Sequence, residues 1–200
     1  MQFPQILTPL AALALTWVFS LPVKAQISAP AKADDTVISE MQQAFRKNDK
    51  ARLSALLPQA RGHTLEPWAA YWELSVRLDR ASHSEIQEFA TRYAGTYQED
   101  RLRTEWLQLL GRRRDWQTFA AEYPRYRMRD DKEVRCYALA AEVASGLPDT
   151  VTEFKRLWYA QKEADDGCNY AAERLHAARK IDGLDLWRKA RIAMENSRPR

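Results

Sequence analysis

Among the residue types able to carry out chemistry, the histidines come first, and there are three: His63, His83 and His176. They lie far apart in sequence, and none stands in the His-Glu-x-x-His pattern that sets two imidazoles on one helix face around a zinc ion. Glu173 and His176 are three residues apart, but two potential ligands do not make a metal centre. Each histidine reads as a surface or cap residue. The acidic pairs Asp130-Asp131 and Asp165-Asp166 are adjacent in sequence. Adjacent residues on a helix do not face each other, so neither pair forms an acid/base couple, and in a loop both are solvated. There is no glycine-rich phosphate loop and no nucleophile elbow. The residues present call for no cofactor and no metal.

Two cysteines remain, Cys136 and Cys168. Their meaning depends on the compartment. From Ile6 to Leu21 the chain runs ILTPLAALALTWVFSL, apolar apart from Thr8, Pro9, Thr16 and Ser20. Sixteen residues with a proline are short for a membrane span, which needs about 20. Val23 and Ala25 supply the small residues of a signal-peptidase site, although the positive n-region rests on the α-amine alone. The expectation is a signal peptide over 1–25, cleaved after Ala25, with no stable membrane span afterwards and a periplasmic mature chain. In an oxidising compartment an isolated cysteine pair reads as a disulfide, Cys136–Cys168.

The full chain carries 31 Lys and Arg against 27 Asp and Glu. Cleavage removes Lys24, leaving 30 against 27, a net charge of +3. So even a balance argues against a dedicated nucleic-acid binder, in which basic groups dominate one face. Seven Trp and eight Tyr imply a core, or a groove, built from large aromatic side chains.

Residues 26–33 form a short Ala/Pro/Ser linker, and beyond it helix follows helix. Val37, Ile38, Met41 and Phe45 share a face behind the Asp34-Asp35-Thr36 cap, and Leu53, Leu56 and Leu57 precede Pro58. Trp68, Trp72 and Val76 recur at steps of four, with Pro67 in the first turn where its missing N–H costs nothing. Ser82 and Glu85 have capping-box spacing ahead of Ile86, Phe89 and Tyr93. Leu102, Trp106, Leu109 and Leu110 are closed by Gly111, and Trp116, Phe119 and Tyr123 by Pro124. Further stripes begin at Val134, Val151, Tyr170 and Leu184. No stretch alternates over a strand's length. The expectation for 34–200 is an all-α fold of about ten helices with narrow apolar stripes, stacked as antiparallel hairpins in a superhelical solenoid with degenerate repeats. A compact bundle is the alternative.

In order along the chain, Leu65-Glu66-Pro67-Trp68-Ala69-Ala70-Tyr71-Trp72-Glu73-Leu74, Arg113-Arg114-Asp115-Trp116 with Phe119 and Tyr123-Pro124, Arg135-Cys136-Tyr137-Ala138, Asp166-Gly167-Cys168 and Leu186-Trp187-Arg188-Lys189-Ala190-Arg191-Ile192-Ala193-Met194 together resemble the U-shaped N-terminal domain of soluble lytic murein transglycosylases. The resemblance spans residues 34–200. It implies a superhelical scaffold, a cysteine pair at Cys136 and Cys168, and a role in peptidoglycan cleavage and turnover carried by a separate lysozyme-like domain. That domain's catalytic glutamate precedes a serine, and a Gly-Leu-Met-Gln segment follows; neither motif occurs here. No residue inherits the catalytic role, and the isolated chain is expected to be inactive. The absent motifs and the uncapped end, Glu195-Asn196-Ser197-Arg198-Pro199-Arg200, favour the scaffold part of a truncated enzyme. The alternative is a complete, stand-alone periplasmic adaptor with a tetratricopeptide-like solenoid that binds murein or a partner protein, such as one of the cell wall.

One stretch carries a contact hypothesis. Between Arg112 and Arg135 eight basic residues interleave with Trp116, Phe119, Tyr123 and Tyr126. Aromatic planes stack on sugar rings, and arginines pair with the carboxylates of murein. Tyr126, flanked by Arg125 and Arg127 in an expected loop, is the candidate exposed contact. The competing reading is a solvated helix face above aromatic core residues.

Overall fold

A computed structural model describes residues 35–142 and 148–196. The expected signal peptide and linker, and the cleavage site after Ala25, lie outside the described residues. The described chain is all-α, with no strand: α1 (Asp35–Arg46), α2 (Lys50–Leu56), α3 (Glu66–Ser75), α4 (His83–Arg92), α5 (Tyr97–Arg113), α6 (Trp116–Glu122), α7 (Lys132–Glu142), α8 (Pro148–Tyr159), α9 (Asp166–Ala177) and α10 (Gly183–Asn196). Short 3-10 turns at Leu57–Ala60 and Tyr123–Arg125 carry Pro58 and Pro124, whose rings end the preceding α-helices. None of the described helices is long and apolar enough to cross a membrane.

Local chemistry sets most of the boundaries. Side chains of Asp49, Asp115 and Asp165 cap α2, α6 and α9 by accepting the N–H of Arg52, Thr118 and Cys168. The capping box is complete: Ser82 accepts from the Glu85 N–H while the Glu85 carboxylate accepts from the Ser82 N–H at 2.8 Å. Gly95, at φ 83°, follows the end of α4 in the left-handed region, which glycine enters freely.

Gly111 corrects the sequence expectation. It does not close α5, which runs on to Arg113 and stops at Arg114, held at φ 62° with its N–H on the Gly111 carbonyl. Gly111 serves packing instead: a Cβ there would sit 2.8 Å from Cγ of Tyr137 and nearer still to Cδ2 and Cε2 of that ring. The missing side chain lets α7 approach α5.

Contacts join helices one or two places apart along the chain, most extensively α7 with α9, and α5 also reaches α9. α1 packs on α2 and α3, α3 on α5, α5 on α4, α6, α7 and α9, and α8 on α7, α9 and α10. Two cores result, and α7 belongs to both. Its Val134, Tyr137 and Ala138 join the core built from α1 to α6, while Cys136, Leu139 and Ala140 join that of α8 and α9. The expected narrow stripe therefore fails for the central helices. In α3 every residue from Ala69 to Leu74 is buried, including Glu73. A helix covered on several sides needs apolar or paired residues all round. At the end of the described chain, α10 leaves Leu184, Trp187 and Met194 exposed.

Candidate functional site

The stretch from Arg112 to Arg135 leaves α5, passes through α6 and its 3-10 turn, crosses a loop and enters α7. Asp100, inside α5 and 1% exposed, anchors the loop: its carboxylate accepts the N–H of Arg127 at 2.9 Å and of Met128 at 2.8 Å. Tyr126 follows that loop inward. It is 1% exposed, and its hydroxyl donates to Asp130 at 2.7 Å while accepting the N–H of Asp130 at 3.1 Å and Asp131 at 3.0 Å. Burial, helped by Asp130, pushes the hydroxyl above its ordinary pKa. The expected exposed contact at Tyr126 is thereby corrected. A buried phenol is a good hub for a tight loop, because one oxygen can accept twice and donate once.

Its two neighbours do reach solvent, at 60% and 51% side-chain exposure for Arg125 and Arg127. Both are already paired. Arg125 meets Glu122 at 3.3 Å, and Arg127 meets Glu99 at 2.9 Å and donates to the Gly95 and Thr96 carbonyls. Beneath them Arg103 is buried between Glu99, at 2.6 Å, and Glu122. Three guanidiniums thus stand against Glu99, Asp100 and Glu122. A buried charge is tolerated only when paired and hydrogen-bonded, so this network ties α5 to the 122–128 segment and leaves little free positive charge for a ligand. Arg114 lies 3.8 Å above the Tyr170 ring, which stacks on Trp116 at 5.1 Å. Most of the aromatic residues here form the seam between α5, α6, α7 and α9.

Cys136 on α7 and Cys168 on α9 are brought to bonding distance, with Cα atoms 4.8 Å apart, inside the range a disulfide spans. Asp165 lies beside them, the one group of three potential metal ligands among the described residues. With the sulfurs joined and the Asp165 carboxylate holding the Cys168 N–H at 2.7 Å, the group reads as a helix cap on a staple. His63 is buried: Nδ1 accepts the Leu65 N–H at the start of α3, and Nε2 lies 2.7 Å from Asp35. That is a capping role. His83 rests against Trp106, and His176 is exposed.

Two features were not singled out from the sequence. Glu133, in the run Asp130-Asp131-Lys132-Glu133, is half-sunk under α9, and Gly167 leaves room for its backbone. Burial pushes its carboxyl above the ordinary range, against the pull of Arg112 at 3.5 Å. The second is a groove of about 540 Å³ between α1 and α3, lined by Trp68 and Trp72 on the α3 side and by Ser39, Gln42, Phe45 and Arg46 on the α1 side. The sequence signal was the aromatic abundance, which could not say where a groove would open. A larger groove of about 820 Å³ between α3 and α4 is crossed by the pairs Arg77–Glu73, Arg77–Glu85 and Arg92–Glu66.

With these surfaces described, comparison with known proteins adds a relation. The chain is similar to soluble lytic transglycosylases. An X-ray structure of an inactive mutant of lytic transglycosylase Slt from Pseudomonas aeruginosa superposes with a TM-score of 0.59 at 27% identity, covering 80% of this chain and 26% of that one. The 70-kDa soluble lytic transglycosylase in complex with bulgecin A superposes with a TM-score of 0.58 at 19% identity, with the same coverages; at that identity the likeness is one of fold. The chain thus spans about a quarter of the length of these structures. No family model matches the chain, and no curated protein does.

Proposed function

We propose that this chain is a non-catalytic helical scaffold of a periplasmic lytic murein transglycosylase and serves peptidoglycan turnover by binding murein. The observation that carries the reading is the 27% identical superposition over 80% of the chain on the Slt structure. Packing that mostly joins helices one or two places apart along the chain supports arranging them as a superhelical solenoid. The absence of Glu-Ser and Gly-Leu-Met-Gln from the sequence supports inactivity. Glycan cleavage needs a carboxylic acid of raised pKa inside a saccharide groove. Glu133 has the raised pKa, but Arg112 stands beside it, and the surrounding surface is lined by Asp130, Asp131 and Asp165, which would repel the carboxylates of murein.

The test uses purified sacculi. The protein should co-sediment with them and release no 1,6-anhydro-muropeptides. Anhydro product from the pure chain would overturn the inactive assignment, and failure to co-sediment would overturn murein binding. Export is tested by intact mass of the periplasmic species, expected to begin at Gln26. The exposed Leu184, Trp187 and Met194 of α10 favour a second reading, in which the scaffold contacts another protein through that helix. A Trp187→Ala variant that sediments normally with sacculi but fails to bind a purified cell-wall protein recognised by the wild type would support it.

A further inference from the structure

The groove between α1 and α3 is lined by residues in regular helical register on both sides. Ser39, Gln42 and Arg46 stand at i, i+3 and i+7 on α1, so they form one stripe along that helix. Leu65, Trp68 and Trp72 repeat the same spacing at the start and along the body of α3. The α1 side thus carries a polar stripe beside the apolar Ile38 and Phe45, and the α3 side is apolar and aromatic, each stripe running about 10 Å at 1.5 Å per residue. The aromatic wall extends outward: Tyr97, 54% exposed, lies 5.8 Å from Trp68, and Leu65 is exposed beside it. Trp68 is held from behind by Tyr71 at 5.8 Å and Trp72 at 5.9 Å. Its orientation is set before any ligand arrives.

We propose that this groove binds a chain of N-acetylated amino sugars, with pyranose rings laid against Trp68 and Tyr97. A pyranose ring has an apolar C–H face and a polar rim, and this groove matches both. The indole and phenol planes take the C–H face, the acetamido methyl meets Ile38, and ring hydroxyls and amide groups reach Ser39 and Gln42. The stripes are long enough for two rings in succession, and the groove is open to solvent, as a polymer requires. Arg46 supplies the charge preference. It is exposed at the last turn of α1 and makes no ion pair with another described residue. That separates it from Arg125 and Arg127, whose charges are met by carboxylates. An unpaired guanidinium at the rim of a sugar groove selects a saccharide bearing a carboxylate, such as the lactyl group of a muramic acid. An apolar peptide or lipid would leave Ser39 and Gln42 without partners on the opposite wall.

The proposal takes its source of sugar from the murein reading above, while its geometry stands without that reading. The test titrates the protein by calorimetry with two soluble probes, tetra-N-acetylchitotetraose and peptide-free glycan strands prepared from sacculi, alongside sacculus co-sedimentation. Binding of both probes is expected, tighter for the strands. Arg46→Ala should erase most of that preference, about tenfold, as one charge-assisted contact at an exposed site would. Tyr97→Ala should weaken both probes by about five- to tenfold, in line with loss of one exposed aromatic contact. Because Tyr97 and Arg46 are exposed, both variants should keep the wild-type melting curve, so loss of binding is not loss of fold. If both variants bind the strands like wild type, the groove assignment is wrong, whatever the sacculi do. If chitotetraose binds in a Tyr97-dependent manner but sacculi do not, the murein reading falls and the groove stands. If neither probe binds, the groove proposal is overturned. A concentration-dependent dimer lost in Tyr97→Ala would also overturn it, by giving the groove to a second copy of the chain.

Discussion

Replacing Gly111 with alanine sets two physical effects against each other. In a helix interior, alanine is favoured over glycine by about 0.8–1 kcal/mol, so a reader of α5 alone expects a more stable protein. The structure reverses the sign. The new methyl carbon would lie 2.8 Å from Cγ of Tyr137 and closer to two other ring carbons. That ring is fully buried, with Trp116 at 5.9 Å and Phe119 and Tyr170 each at 6.3 Å between centroids, so it has no free direction in which to retreat. Overpacking of a well-filled core costs about 1–3 kcal/mol. With three ring carbons that close, the upper part of that range applies, about 2–3 kcal/mol, so after the propensity gain the net loss should be about 1–2 kcal/mol, and at about 2–4 °C per kcal/mol for a chain of this size the Tm should fall by about 2–8 °C. Thermal melting of Gly111→Ala followed by circular dichroism measures this. The double variant with Tyr137→Leu isolates the cause, because the alanine should lose its penalty once the ring is gone. A Gly111→Ala protein as stable as wild type, or equal penalties with and without the Tyr137 ring, would refute the packing argument.

Denatured, unreduced protein should contain no free thiol, and reducing Cys136–Cys168, which are 32 residues apart, should lower stability by about 3–4 kcal/mol in the chain-entropy model. Glu85 is held at a pKa of about 2 by the Ser82 N–H, the Ser82 hydroxyl and then Arg77. A lowered folded-state pKa gives stability that is present above the ordinary value of 4.5 and lost as pH falls toward about 2. Glu85→Ala should therefore cost about 1 kcal/mol at neutral pH, discounted because the side chain is 40% exposed, and the gap in urea midpoints should close in acid. Tyr126→Phe removes the acceptor of the Asp130 and Asp131 N–H groups and should cost about 1–3 kcal/mol while leaving sacculus binding unchanged; reduced binding with an unaltered melting curve would restore Tyr126 as a contact.

The helices were legible because their signals are local. The Ser82/Glu85 box, the proline stops after Leu57 and Tyr123, and the periodic apolar stripes each depend on residues a few positions apart, and the structure places helices where they point. All-α class follows from the same period. The sequence alone also shows that it lacks the Glu-Ser dipeptide of soluble lytic transglycosylases. What the tertiary structure decided depends on partners distant in the chain. Tyr126 looks exposed between two arginines until Asp100, 27 residues away from Arg127, draws the loop down and buries the ring. Gly111 looks like a helix stop until Tyr137 arrives to fill its empty side. Arg125 and Arg127 look like free charge until Glu122 and Glu99 neutralise them. In the same way the stripe Ser39, Gln42 and Arg46 is an ordinary polar face of α1, and becomes one wall of a groove only because α3 sets Trp68 opposite it. Periodicity tells which side of a helix is apolar, but burial and charge pairing are set by what packs there, and that is decided over the whole chain.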